Sequence, residues 1–95
     1  MAETSSHRVV ITVLGKNRAG IVAAVANILG KANVDIRDIS QSILDDIFTM
    51  TMIADMTDAH LDFADLQDEL NHAGEAVGVT IHMQREDVFN FMYRL

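Results

Sequence analysis

Between a β-branched run and an apolar helical pattern lies Gly15-Lys16-Asn17-Arg18-Ala19-Gly20, a polar turn with two cations and a glycine at each end. A helix that starts here leaves its first N–H groups without intrahelical partners, and those groups together with the macrodipole favour an anion. Gly20 lets a carboxylate approach the backbone, while Lys16 and Arg18 add positive charge. The chemistry on offer is binding. A carboxylate fits against the N–H groups of Ala19, Gly20 and Ile21, with a side-chain hydrogen bond from Asn17. Each residue also has a plainer reading, in which Asn17 caps the helix, Gly20 serves close packing and Arg18 is a solvated charge. The Gly15-to-Gly20 spacing lacks both the Gly-Lys-Ser/Thr ending of a phosphate-binding loop and the third glycine of a dinucleotide fingerprint.

Other chemistry is thinly supplied. With zero cysteines there are no disulfides, thiolate metal sites or thiol nucleophiles. His7, His60, His72 and His82 are scattered. Asp58, His60 and Asp62 alternate in a polar loop, and His72 follows Glu69 by three residues, but no two histidines are four apart. They read as surface residues, and no metal site or cofactor is expected. Asp45-Asp46 reads as a turn, and Asp65, Asp68 and Glu69 as a solvated helix face. Without a nucleophile–base constellation the chain is not expected to be an enzyme.

Charge narrows the partners. The net charge is −7, but it is unevenly spread. Residues 1–44 set Arg8, Lys16, Arg18, Lys31 and Arg37 against Glu3, Asp35 and Asp38, whereas residues 45–95 set only Arg85 and Arg94 against eleven acids. An anion therefore prefers the first strand, turn and helix. Nucleic acid is not an expected partner, because the strands offer only Phe48 for stacking bases. No apolar run approaches the ~20 residues of a membrane span, and the start lacks a basic, apolar signal segment, so a cytoplasmic location is expected. The aromatic segment near the end has acidic flanks, Glu86 and Asp87, which argues against membrane binding.

The elements that must position the turn follow from periodicity. Arg8–Leu14 reads as a strand. Ile21, Val25, Ile28 and Leu29 give a helix to about Ala32, opened by Asn17 or Arg18 and closed by Asn33, which tolerates positive φ. In the second strand the apolar phase slips between Ile36 and Ile39, predicting a bulge near Arg37–Asp38. The acidic turn at 45–46 leads to a third strand over 47–54. Phe63, Leu66, Leu70, Ala73 and Val77 make a second helix behind an Asp62 N-cap, with Gly78 at its end. Residues 79–83 are a fourth strand and 87–95 a short aromatic helix. The order βαββαβ plus a last helix predicts an α+β, ferredoxin-like sandwich. Residues 1–6 read as a flexible tail, 7–84 as the domain, and 85–95 as a helix packed on the domain or on a dimer seam. Apolar residues at both parities of the first strand leave more than one sheet face to cover, so a homodimer, sheet-to-sheet or edge-to-edge, is expected.

Gly15-Lys16-Asn17-Arg18-Ala19-Gly20-Ile21-Val22 between strand and helix resembles the ACT domain, the small-molecule-sensing module of amino-acid metabolism. The resemblance covers nearly the whole chain and continues in Asn33-Val34-Asp35-Ile36 and Ile47-Phe48-Thr49-Met50. With Asp38-Ile39-Ser40-Gln41 it is similar to single-ACT proteins of prokaryotes and to the ACT halves of the glycine-cleavage repressor and formyltetrahydrofolate deformylase. Two positions depart from the pattern. Asn17-Arg18-Ala19-Gly20 replaces the common Asp-Arg-Pro-Gly, though some serine-binding members also have asparagine there. Asp35 stands where an asparagine commonly touches the ligand. The resemblance implies a homodimer that binds an amino acid or similar metabolite at its interface, with Asp35 toward the ammonium and Ile39, Ser40 and Gln41 of the partner as a wall. It further implies an output through an unidentified partner enzyme or transcription regulator. The alternative is a ligand-free dimerisation module.

Overall fold

The computed structural model describes residues 7–93. Along them run β1 (Arg8–Lys16), α1 (Ile21–Lys31), β2 (Asp35–Leu44), β3 (Ile47–Asp55), α2 (Phe63–Val77), β4 (Val79–Arg85) and α3 (Glu86–Tyr93). The strands form one antiparallel sheet in the order β2-β3-β1-β4. This is the ferredoxin-like sandwich with an added helix that the sequence predicts. The expected tail, residues 1–6, and the last two residues of the expected helix lie outside the described residues.

Alternation decides the layers. Val9, Ile11 and Val13 of β1 share a face with Phe48, Met50, Met52 and Ala54 of β3 and with Val79, Ile81 and Met83 of β4. All are buried beneath the helical layer, from which Ile21, Val25 and Leu29 of α1 and Leu66 and Leu70 of α2 descend at four-residue spacing. On α2, the Asp62 carboxylate accepts the Asp65 N–H (2.9 Å) as its N-cap, and Gly78 closes the helix at φ 78°. At the end of α1, Asn33 takes φ 61°, while the Val34 N–H donates to the Leu29 carbonyl (2.9 Å) and that of Asn33 to Gly30 (3.2 Å).

The start of α1 differs from expectation. Neither Asn17 nor Arg18 opens the helix, because β1 runs on through Lys16, which pairs with Ile47. The Asn17 N–H donates to the Asp46 carbonyl (2.6 Å), holding that residue at the end of the sheet. Gly20 caps the helix at φ 91° with no side-chain hydrogen bond. Its lack of a Cβ makes this conformation accessible.

The expected bulge is present. Pairing passes from Ile36↔Ala54 to Asp38↔Ile53, leaving Arg37 as the extra residue. The slip puts Ile36, Ile39 and Ile43 on one face, beside Ala54, Met52 and Phe48. No helix covers them: they are 38%, 44% and 57% exposed, and every residue of β2 is exposed. On the opposite face of the sheet, α3 packs against β1 and β4. Val10, on that face, is only 4% exposed. No helix among the described residues is long and apolar enough to cross a membrane.

Candidate functional site

The β1–α1 turn stands at the end of a central strand, beside the β2–β3 hairpin. Its cations have partners within the chain. Lys16 Nζ lies 3.7 Å from a carboxylate oxygen of Asp46. Arg18 Nη1 donates to the Val77 carbonyl at the end of α2 (3.3 Å), where a positive charge complements the helix dipole. Both contacts are exposed, and such contacts contribute about 1 kcal/mol or less.

Beyond the cations the helix end is open. The Ala24 N–H donates to the Gly20 carbonyl (2.9 Å), so the N–H groups of Ile21, Val22 and Ala23 precede the first bond of the helical ladder. A Cβ on Gly20 would meet nothing within 4 Å. No acidic residue lies in the first turn of α1. The available donors are thus displaced along the chain from Ala19, Gly20 and Ile21, because the helix starts later than its sequence suggests. Gly15 has a packing reason instead, since a Cβ there would fall 2.7 Å from Val79 Cγ1.

Asp35 lies at the far end of the sheet. It shares a row with Asp55 and Arg8, whereas Lys16 and Leu44 share the row of Ile47. Eight residues of β1 separate the two rows, about 26 Å at ~3.3 Å per residue. One chain cannot bring Asp35 to its own turn. Asp35 pairs with Arg37 (3.1 Å) and lines an open cleft of about 510 Å³ with Asn33, Asp55, Thr57 and Asp58. In that cleft the Thr57 hydroxyl, and then its N–H (2.9 Å), donate to the Asp55 carboxylate and hold its pKa below the usual carboxylate value. Ile39, Ser40 and Gln41 lie along the middle of β2, all exposed, with Ser40 on the opposite face from its neighbours.

Sequence reasoning missed three contributors. Asp46 and Val77 act partly or wholly through backbone carbonyls, which carry no sequence signal. Gln67 of α2 is the third. Its amide donates to the Ile81 carbonyl (3.3 Å) and accepts the Met83 N–H (3.0 Å), satisfying the outer edge of β4. Among the described residues no group of three or more His, Cys, Asp or Glu side chains is placed to hold a metal ion. His72 contacts the Asp68 carbonyl (2.9 Å), and His82 is exposed on the sheet face opposite α1 and α2.

Comparison with known proteins gives four findings. A family model described as "ACT domain" matches residues 7–84. The UPF0237 protein of Methanocaldococcus jannaschii is 47% identical over 88 residues, spanning 93% of this chain and 98% of that one. Among solved structures, an ACT domain protein from Streptococcus pneumoniae aligns with a TM-score of 0.76 at 37% identity, over 90% of this chain and 97% of that chain. A formyltetrahydrofolate deformylase from Burkholderia mallei shares the fold (TM-score 0.76, 22% identity), with 83% of this chain matching 28% of the enzyme.

Proposed function

The chain belongs to the ACT domain family, and from that premise we propose that it is a regulatory sensor holding a free amino acid, or a related small anionic metabolite, between two copies of itself. The observation that carries this reading is the bare β2 edge. β2 is an edge strand, and its backbone beside a row of exposed isoleucines is a template for a second strand once the Ile39 N–H exchanges the Asp38 carboxylate (2.9 Å) for a strand partner. Antiparallel pairing of two β2 strands near Ser40 brings Asp35 of one copy opposite Asp45 of the other. Asp45 adjoins Asp46, whose carbonyl holds Asn17. The distance that separates Asp35 from its own turn is then bridged by the second copy.

In such a site the ligand carboxylate meets the N–H groups of Ile21, Val22 and Ala23 with help from Asn17, and its ammonium meets Asp35. Ile39, Ser40 and Gln41 of the second copy form the wall. A ligand that touches both copies favours the arrangement it binds best, and the pair transmits that bias to a partner enzyme or transcription regulator. Isothermal titration against the twenty amino acids tests the reading. Heat with one of them, abolished in Gly20→Leu and weakened in Asp35→Asn, is the expected result, with circular dichroism confirming that both variants fold. Absence of heat with all twenty overturns it.

One observation favours a second reading. Lys16 and Arg18 both have partners inside the chain, as they would in a dimerisation module that takes no ligand. A thermal shift with added amino acids separates the two, because only a sensor gains stability by mass action.

A further inference from the structure

The sheet face opposite α1 and α2 is stepped, raised by α3 at one end and bare at the other. We propose that this step is a second self-association surface, on which α3 of one copy seats on the bare end of another and the reverse, making a dimer of the edge-paired dimers. The proposal goes beyond the ligand site and rests on the edge pairing only for its count of four chains.

The covered end holds Val10. The bare end holds Leu14 and Ile47, 50% and 48% exposed, with Leu44 beside Ile47 in the same row. Thr12 and Thr51 fill the row between, and Thr49 and Thr80 flank Leu14 in its own row. The ionisable side chains at this bare end are His82 and the ion pair of Lys16 with Asp46 (3.7 Å), the low-charge composition of an interface centre. On the raised half, Val88 is an exposed apolar residue. The acids of α3 are already matched, Glu86 by Arg8 (3.2 Å) and Asp87 by Arg85 (3.1 Å), so seating the helix carries no unpaired carboxylate into the contact.

Shape and area choose the occupant. A two-fold axis lying across the strands exchanges the raised and bare halves, so the same surface is its own complement. The bare half spans four strands by about five residues, ~19 Å by ~16 Å. The eight residues of α3 make a rod ~12 Å long and ~10 Å thick, which fits that recess. The footprint is then about 400 Å² per copy and roughly 800 Å² per contact, half of a standard stable interface. The two-fold of an edge-paired dimer also exchanges raised and bare halves, so two dimers stacked face to face make this contact twice. Doubling brings the buried area to about 1,600 Å², which is what stable association requires.

Analytical ultracentrifugation of the full chain at about 100 μM, alongside Leu14→Thr/Ile47→Thr, Val88→Glu and the edge variant Ile39→Lys/Ile43→Lys, tests this. The face variants change exposed residues and keep strand or helix propensity, and circular dichroism checks their fold. Four chains in the parent and two in both face variants is the expected result. A parent of two chains that the edge variant splits and the face variants leave intact overturns the proposal and keeps the edge pairing. A parent of two chains that the face variants split and the edge variant leaves intact supports the stepped contact and removes the edge pairing. A parent of one chain overturns both.

Discussion

The sheet ends in β2 on one side and β4 on the other, and the two edges are finished differently. Along β4, Val79, Ile81 and Met83 are buried, α2 packs against the strand, and the Gln67 amide occupies an outward N–H and an outward carbonyl as a neighbouring strand would. Gly74 lets the helix come this close, since a Cβ there would lie 2.7 Å from the Val79 carbonyl oxygen. Along β2 the Ile39 N–H donates to the adjacent Asp38 carboxylate (2.9 Å), but among the described residues no helix closes the strand as α2 closes β4. The ten residues of β2 are all exposed, and a bulge aligns three isoleucines on the helical side of the sheet, at its margin, where they stay 38–57% exposed. An exposed edge invites pairing with other chains, and proteins usually blunt it. A fold that fills one edge with a dedicated side chain and leaves the other exposed has a closed side and an open side.

Stability measurements can break that distinction. The largest effect is expected on the closed side. Gly74→Val forces α2 away from β4 and should cost about 3 kcal/mol, the upper part of the usual range for overpacking. Gln67→Leu leaves the Met83 N–H and the Ile81 carbonyl without their partner and should cost about 2 kcal/mol. Ile39→Thr on the bare edge should change monomer stability by no more than about 0.5 kcal/mol when measured by urea unfolding at high dilution. It should, however, weaken self-association at high concentration. If Ile39→Thr costs as much as Gln67→Leu at high dilution, β2 is held from within the chain, and the two edges are not different in kind.

Much of this contrast was legible in the residues, but not all of it. The phase slip between Ile36 and Ile39 announced the bulge, because strand faces alternate strictly and an apolar row cannot change parity without an extra residue. Asp62, Gly78 and Asn33 announced helix ends through side-chain caps and tolerance of positive φ. The start of α1 was misread because Gly20 caps it through its backbone angle alone, while Asn17 and Arg18, the residues that resemble openers, are held by Asp46 and Val77. Gln67 was invisible for a related reason: its partners are main-chain atoms 14 and 16 residues away, set by how α2 lies on β4. The distance of Asp35 from the turn likewise follows from strand register, which no local pattern reports. The family resemblance points to the β1–α1 turn, and the register sets Asp35 at the other end of the sheet from it.

The smallest expected effect sharpens the comparison, since it concerns the same number of hydrogen bonds on the other side of the sheet. Asp55, at the end of β3 where Asp35 pairs with it, accepts two bonds from Thr57, as Gln67 makes two to β4. The hydroxyl is the larger cause of the lowered Asp55 pKa, ahead of the N–H. Because the folded pKa is below the unfolded one, this carboxylate contributes stability above the unfolded pKa, and the contribution is lost as pH falls through the folded value. Thr57→Val removes the hydroxyl and keeps the N–H, so the Asp55 pKa should rise toward the ordinary carboxylate range in an NMR titration. At pH 7 the variant should lose about 0.5 kcal/mol, well below the cost of Gln67→Leu, because solvent screens an exposed carboxylate. The two proteins should converge in stability below the carboxylate range, where Asp55 is protonated in both. A loss that equals that of Gln67→Leu, or that persists unchanged at low pH, would mean that Thr57 acts through packing, and that the bare side of the sheet depends on internal contacts as much as the closed one.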